Sequence, residues 1–298
     1  MVGSGSQPRA CRGSGFVVRA VRLHGFGLRV GAFGGGQPGL AGGGASGQAF
    51  GGSVRGQGKP SPGHVGGPGA PAPAGGGLAV AAPVVMLCGS RSLHGGAVPQ
   101  VGRVASALVW AGSVLAVGCA AGADAAAVSS VVSSGAAPRL HLFAVGGVNG
   151  SGFAGKASAF VGVQSAASAG AVVSWWAGGP SSVPLRARLA KRSLACVRSA
   201  ATGGPGSGLV AFVSQLPARP FRPGAWPSCG SGSWASAAAA SRLGLPVVVV
   251  PVGSLAGVSV SSLPALPGGG SWSPLGCGVL SGGFRWQPAP SLVFGGAV

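Results

Sequence analysis

From residue 83 onward, short β-branched apolar runs alternate with longer stretches of small residues at helical spacing. Pro83-Val84-Val85-Met86-Leu87-Cys88 predicts a buried strand ended by Gly89, and residues 99–111 predict a helix. Residues 114–117 form a second strand, followed by a Gly-rich turn at 118–122 and an Ala-rich helix to residue 133. Residues 140–145 give a third strand, 154–169 a weaker helix, 171–175 a fourth strand and 184–200 a basic helix. A fifth strand at 209–214, a helix at 233–243 and a sixth strand at 246–250 complete the pattern. Strands that are apolar on both faces and separated by helices indicate a parallel sheet covered on both sides. The predicted fold class is therefore α/β: one doubly wound, Rossmann-like parallel sheet over residues 83–253.

The flanks break this pattern. Residues 1–82 are a low-complexity basic Gly/Pro-rich flank, with Gly34-Gly35-Gly36, Gly42-Gly43-Gly44 and a Pro-rich run from Pro60 to Pro73. Such sequence loses much conformational entropy on ordering and has little side chain to offset it, so disorder is expected there. No compact apolar run follows the first residues to suggest a secretory signal. Residues 254–298, rich in Gly, Pro, Ser and Trp, are expected to be an irregular tail. One further segment needs weighing: the uncharged stretch 104–123 between Arg103 and Asp124 is long enough to span a bilayer. It is dominated by Ala, Gly, Ser and Val and is interrupted by Ala111-Gly112-Ser113, so a helix–turn–strand suits it better than a membrane span.

Charge changes what chemistry is open to the chain. Its 20 basic residues face a single acid, Asp124, for a net charge of +19. Paired-carboxylate acid–base catalysis, EF-hand calcium sites and carboxylate magnesium cages are excluded, because no second carboxylate exists. Attraction to polyanions follows from the charge whatever its origin. The origin lies in part in composition: Glu, Tyr and Ile are absent and Asn, Thr and Lys are scarce, all residues with adenine-bearing codons. The charge therefore carries little weight as a sign of nucleic-acid binding. Apolar residues make up 47% of the chain and mean hydropathy is +0.52, which excludes a wholly disordered chain.

In a parallel sheet the ligand site lies at the carboxyl ends of the strands. Three small-residue turns fall there: Cys88-Gly89-Ser90-Arg91-Ser92, Gly118 to Asp124, and Gly230-Ser231-Gly232-Ser233-Trp234. Such turns let backbone N–H groups at helix N-termini approach a phosphate. Asp124, the one acid retained, opens the helix after the second strand; it could offset orphan amides, accept hydrogen bonds from a ribose or base, or orient Arg91. The basic helix places Arg186, Arg188, Lys191, Arg192 and Arg198 within a few turns, read as a solvated face or as contacts to a nucleic-acid backbone. Trp234 sits within the third turn and is expected to line a pocket, while Trp175 or Trp176 could stack a base.

These motifs resemble the SLOG superfamily of Rossmann-like proteins, which includes the DNA-processing protein A family, the Lonely Guy phosphoribohydrolases and nucleotide-sensor domains. The resemblance rests on Gly89-Ser90-Arg91, on Gly118 with Ala121-Gly122-Ala123-Asp124, and on Gly208-Leu209-Val210-Ala211-Phe212. Gly230 to Trp234 and Gly244-Leu245-Pro246 with the valines at 247–250 complete it. It implies a nucleotide-phosphate site at Gly89, Ser90, Arg91, Gly118, Gly122, Asp124, Gly230, Gly232 and Ser233, with Arg186 or Arg188 approaching the phosphate from the basic helix. The phosphoribohydrolases follow their third turn with a catalytic Glu, whereas Ser236, Ala237 and Ala238 stand here. Binding or sensing of a nucleotide-derived ligand is thus expected ahead of hydrolysis, with single-stranded DNA or RNA binding as the alternative.

The remaining reactive residues add little. The cysteines at 11, 88, 119, 196, 229 and 277 show no C-x-x-C spacing, and buried reduced thiols in a cytoplasmic protein are expected rather than a metal site. A triad of Ser90, His94 and Asp124 lacks any mark of a nucleophile, and Gly230-Ser231-Gly232 is out of register for a nucleophile elbow. No cofactor, metal or membrane partner is implied, and a homo-oligomer is compatible with the sequence.

Overall fold

The computed structural model describes residues 81–93, 95–153 and 157–289, together with a two-residue strand pair at Arg22–Leu23 and Phe26–Gly27. The rest of the 1–82 flank and His94 lie outside the described residues. From β1 (Val84–Gly89) the chain runs through α1 (Ala97–Trp110), β2 (Val114–Val117), α2 (Ala123–Ser133), β3 (Leu140–Phe143), α3 (Ala157–Ser168) and β4 (Val172–Ser174). It continues through α4 (Leu185–Ala201), β5 (Gly208–Val213), α5 (Gly232–Arg242), β6 (Val247–Pro251), β7 (Gly270–Pro274) and β8 (Phe284–Pro288). The eight strands form one sheet in the order β4-β3-β2-β1-β5-β6-β8-β7, parallel from β4 to β6 and antiparallel at β8 and β7. The α/β, doubly wound architecture expected over the middle of the chain is what the backbone adopts.

The helices cover the two faces because each strand presents apolar side chains alternately to both. Val85, Leu87, Leu115, Val117, Leu140, Leu142, Val210 and Phe212 pack with residues of α1, α2 and α3. Met86, Cys88, Ala116, Leu209, Ala211 and Val213 face the other way, onto α4 and α5. The second face is built from smaller groups. Ala235 and Ala237 to Ala240 of α5 are all buried, so the helix backbone lies close to the sheet. The uncharged stretch 104–123 is divided among α1, a turn, β2, the next turn and the first residue of α2, and no described helix is long and apolar enough to cross a membrane.

The segment expected to be an irregular tail is not irregular throughout. β8 pairs with β6 through Phe284–Val249, Arg285–Val248 and Trp286–Val247, and β7 pairs with β8. Trp286 is buried and packs edge-on to Trp272, which in turn meets Trp234 of α5. Alternation of Phe284 and Trp286 with Arg285 and Gln287 is the half-buried strand pattern, interrupted on its partner by Gly, Ser and Pro. If this hairpin belongs to the fold, Trp286→Ala should cost about 3–5 kcal/mol in urea denaturation, as for other large buried aromatics. An unchanged midpoint would separate residues 270–288 from the folded core.

Candidate functional site

The chain grows outward on one side of β1 through β2, β3 and β4, then returns by α4 to lay β5 and β6 on the other side. At this reversal the loops after β1 and β5 part, which opens a crevice at the carboxyl ends of the strands. A cleft of about 850 Å³ occupies that place. Its walls are the β1 turn (Gly89 to Ser92), the β2–α2 turn (Gly118 to Ala121, with Asp124), the inner side of α4, the end of β5 and the start of α5.

Of the residues singled out from the sequence, Gly89, Ser90, Arg91, Gly118, Asp124, Arg186, Gly230, Gly232 and Ser233 line this one cleft. Gly122, Arg188 and Trp234 do not. Gly122 has φ +80°, and a Cβ there would strike the Ser90 carbonyl and the Arg91 backbone, so it lets two turns touch rather than meeting a ligand. Arg188 is buried and its Nη1 donates to the carbonyls of Val145 at 3.1 Å and Gly152 at 2.9 Å; it props the loop after β3. Trp234 is fully buried, with its indole N–H donating to the Gln215 carbonyl at 2.8 Å. Burial of a large ring explains that departure: the side chain after the turn points into the α5–sheet core.

The three turns do not contribute equally. The Ser90 amide donates to the Phe212 carbonyl at 2.8 Å, and the Ala123 amide to the Ser90 carbonyl at 3.0 Å. The Ala120 amide donates to Oδ2 of Asp124 at 3.1 Å. These three amides of the first two turns are thus taken up by the fold, and one of them, Ala123, ties the second turn to the first. At the start of α5, as at that of α2, the N-cap residue forms no side-chain cap, and Ser231, Gly232 and Ser233 line the cleft. The first N–H groups of a helix have no intrahelical partner, so these are the donors open to an anion.

At the floor lies a pair the sequence did not foretell. Asp124 does not orient Arg91; it meets Arg192 of α4, with Nη1 and Oδ2 3.5 Å apart and side chains only 10% and 7% exposed. The expected solvated face of α4 is therefore wrong for Arg188 and Arg192, which share the buried stripe with Cys196, while Arg186, Lys191 and Arg198 are exposed. Their spacing of one turn each, continued by Cys196, was the available signal. Gly118 makes room for the pair: a Cβ there would fall on the Arg192 guanidinium and the Asp124 carboxylate. Burial pushes the Asp124 carboxyl above the ordinary carboxylate range, and Arg192 and the Ala120 amide pull against it. Stability from such a raised group is full below its unfolded pKa and falls as pH rises through the folded value.

Cys88, Cys119 and Cys196 also line the cleft and are free thiols. Burial pushes the Cys88 thiol far up and Cys196 up to about 12, so neither is a ready nucleophile at neutral pH. Among the described residues no group of three or more His, Cys, Asp or Glu could hold a metal ion. The lining residues missed from the sequence include Ser214, Gln215 and the half-buried Trp226, all on the end of β5 or the loop that follows. That loop's Pro, Gly and Arg content hides them, although an aromatic between prolines beside a strand end was a signal.

An α/β sheet with helices on both faces and a cleft at its topological reversal defines the class of this protein as a Rossmann-like fold. No family model matches the chain, and no curated protein matches it. Among solved structures it is similar to DNA processing protein A from Helicobacter pylori, described for its single-stranded DNA binding mode, with 19% identity and a TM-score of 0.41. It is also similar to DNA processing protein A from Streptococcus pneumoniae, with 22% identity and a TM-score of 0.41. The likeness covers 57% and 60% of this chain, and 66% and 53% of those proteins respectively.

Two substitutions separate support from ligand contact. Gly118→Ala should destabilise the fold by about 1–3 kcal/mol, as overpacking does, because the buried pair must shift. Arg188→Ala, which strands two carbonyls, should cost a similar amount in urea denaturation while leaving any ligand affinity of the folded protein unchanged. A loss of ligand affinity in a stable Arg188→Ala protein would return that residue to the site.

Proposed function

We propose that the cleft binds a phosphate-bearing, nucleotide-derived ligand and acts as a binding or sensing site. The observation that carries this reading is the convergence of an uncapped α5 N-terminus with Arg91, Arg186 and the incompletely bonded Arg192 around one cleft holding a single carboxylate. Its cationic side chains outnumber Asp124, so an anion is the complementary guest. The cleft volume suits a ligand larger than a phosphate ion, and Trp226 supplies an aromatic wall for a base. The sequence resemblance to SLOG-type domains supports the same ligand class. Hydrolysis has little to work with: Ser236 donates to the Gly232 carbonyl at 3.0 Å, the thiols are buried, and the one carboxylate is held by Arg192 and an amide.

A single-stranded nucleic acid is the second reading, favoured by Lys191 and Arg198, exposed two turns apart on α4, the helix whose inner side lines the cleft. Adenosine monophosphate should raise the melting temperature of the full chain, and Arg91→Ala should weaken its binding by roughly 10- to 100-fold, as expected for a charge-assisted hydrogen bond. Affinity for the mononucleotide should fall only modestly with salt. An oligonucleotide bound without any mononucleotide response, losing about 10³-fold or more between 50 and 200 mM salt, would move the conclusion to the second reading.

A further inference from the structure

Arg192 carries five N–H donors, yet it is poorly matched to what surrounds it. Nη1 reaches Asp124 at 3.5 Å and the Cys119 sulfur at 3.9 Å, and Nη2 reaches the hydroxyl of its own neighbour, Ser193, at 3.4 Å. Nε is buried and has no partner among the described residues. Charge-assisted N–H···O bonds normally close to about 2.7–2.9 Å, often in bidentate pairs. Arg188, one turn earlier on the same helix, also leaves its buried Nε without a partner among the described residues, but its Nη1 is held at ordinary distances, by carbonyls at 2.9 and 3.1 Å. The two arginines differ in place: Arg192 lines the cleft and Arg188 does not. A guanidinium nine-tenths buried, loosely held and bordering an anion-accepting cleft has bonding capacity left for a guest.

We propose that Arg192 is the receptor for the ligand's anionic group, held on Asp124 while the cleft is empty and passed to the ligand on binding, with Asp124 taking up a proton as the guanidinium leaves. The proposal rests on the reading of the cleft as an anion site. Its balance is simple. A buffer acid delivers one proton to the Asp124 carboxylate, forming an O–H bond, and the cation keeps its charge throughout, changing partner from carboxylate to ligand. Once Arg192 has moved, the carboxylate would keep one amide donor, from Ala120, in a site almost closed to water. Burial without a cation favours the neutral acid.

The groups facing Asp124 leave few other sources for that proton exchange. Cys88 approaches from β1, Cys119 and the Ala120 amide from the β2–α2 turn, and Arg192 and Cys196 from α4; Arg91 and Arg186 stand on the cleft wall. Burial holds the Cys88 and Cys196 thiols protonated at neutral pH, so they neither gain nor lose a proton when an anion arrives.

Sulfate is the decisive probe, because it is a tetrahedral dianion whose own charge is constant between pH 5.5 and 8. Titration calorimetry of the full chain in buffers of different ionisation enthalpy should show uptake of up to one proton per sulfate bound. Affinity should fall by up to tenfold per pH unit where uptake is complete. Asp124→Asn should abolish the uptake, flatten the pH dependence and bind sulfate at least as tightly, because the competing carboxylate charge is gone. Arg192→Lys should weaken sulfate at least tenfold. The wild-type proton count needs no variant, so the test survives a misfolded mutant. Sulfate bound with no proton exchange, or unchanged in Arg192→Lys, would overturn the partner exchange while leaving the anion site intact. If neither sulfate nor adenosine monophosphate bound at any pH, the anion reading itself would fail.

Discussion

The reversal of strand order beside β1 governs where everything else in this protein can be. Because β2, β3 and β4 lie to one side and β5 and β6 to the other, the loops leaving β1 and β5 diverge, and α4 must cross the sheet to connect the two halves. That crossing carries Arg192 over the crevice floor and leaves Arg186 at its wall. The start of α5 reaches the same crevice from β5. A doubly wound sheet thus gathers its donors by topology, without any of them being near in sequence.

Close packing then decides which of those donors stay open. The β2–α2 turn is bound to the β1 turn through the Ala123 amide and Ser90 carbonyl, and the contact is close enough that only glycine fits at 122. In exchange for this rigidity, three amides of the first two corners are taken up within the fold: Ser90 by the Phe212 carbonyl, Ala123 by the Ser90 carbonyl and Ala120 by Asp124. The third corner is held differently. The alanines of α5 bring its axis near the sheet, and Trp234 anchors its first turn through the Gln215 carbonyl. Its N-terminal amides therefore remain free while their position is set by the core beneath.

The sequence made the parallel part of the sheet legible for a plain reason. Strands β1 to β6 are buried on both faces, so their apolar runs are continuous and the Gly and Pro around them mark their ends. β7 and β8 escaped notice because their apolar residues alternate with Ser, Arg and Gln and sit among glycines, which read as loop. For the site, the turns at 89–91, 118–124 and 230–233 were legible because chain order alone places them at strand ends. Arg192 and Arg188 were not. A cation on a helix is ordinarily solvated, and their burial depends on tertiary partners, a lone carboxylate for one and two loop carbonyls for the other, that no local pattern announces. Trp234 was misplaced by its position in a turn, since helix geometry points it inward one residue later.

The hairpin of β7 and β8 has a consequence beyond packing tryptophans. β6 carries four successive valines, Val247 to Val250, and without β8 its ladder of amides and carbonyls would be bare along one side. A flat, valine-rich strand with an open ladder is a template onto which other chains add, and the route leads to aggregates. By covering it with a strand that bears Arg285 and Gln287 and is itself bordered by Gly270 and Pro274, the fold exchanges a sticky margin for one that resists further growth.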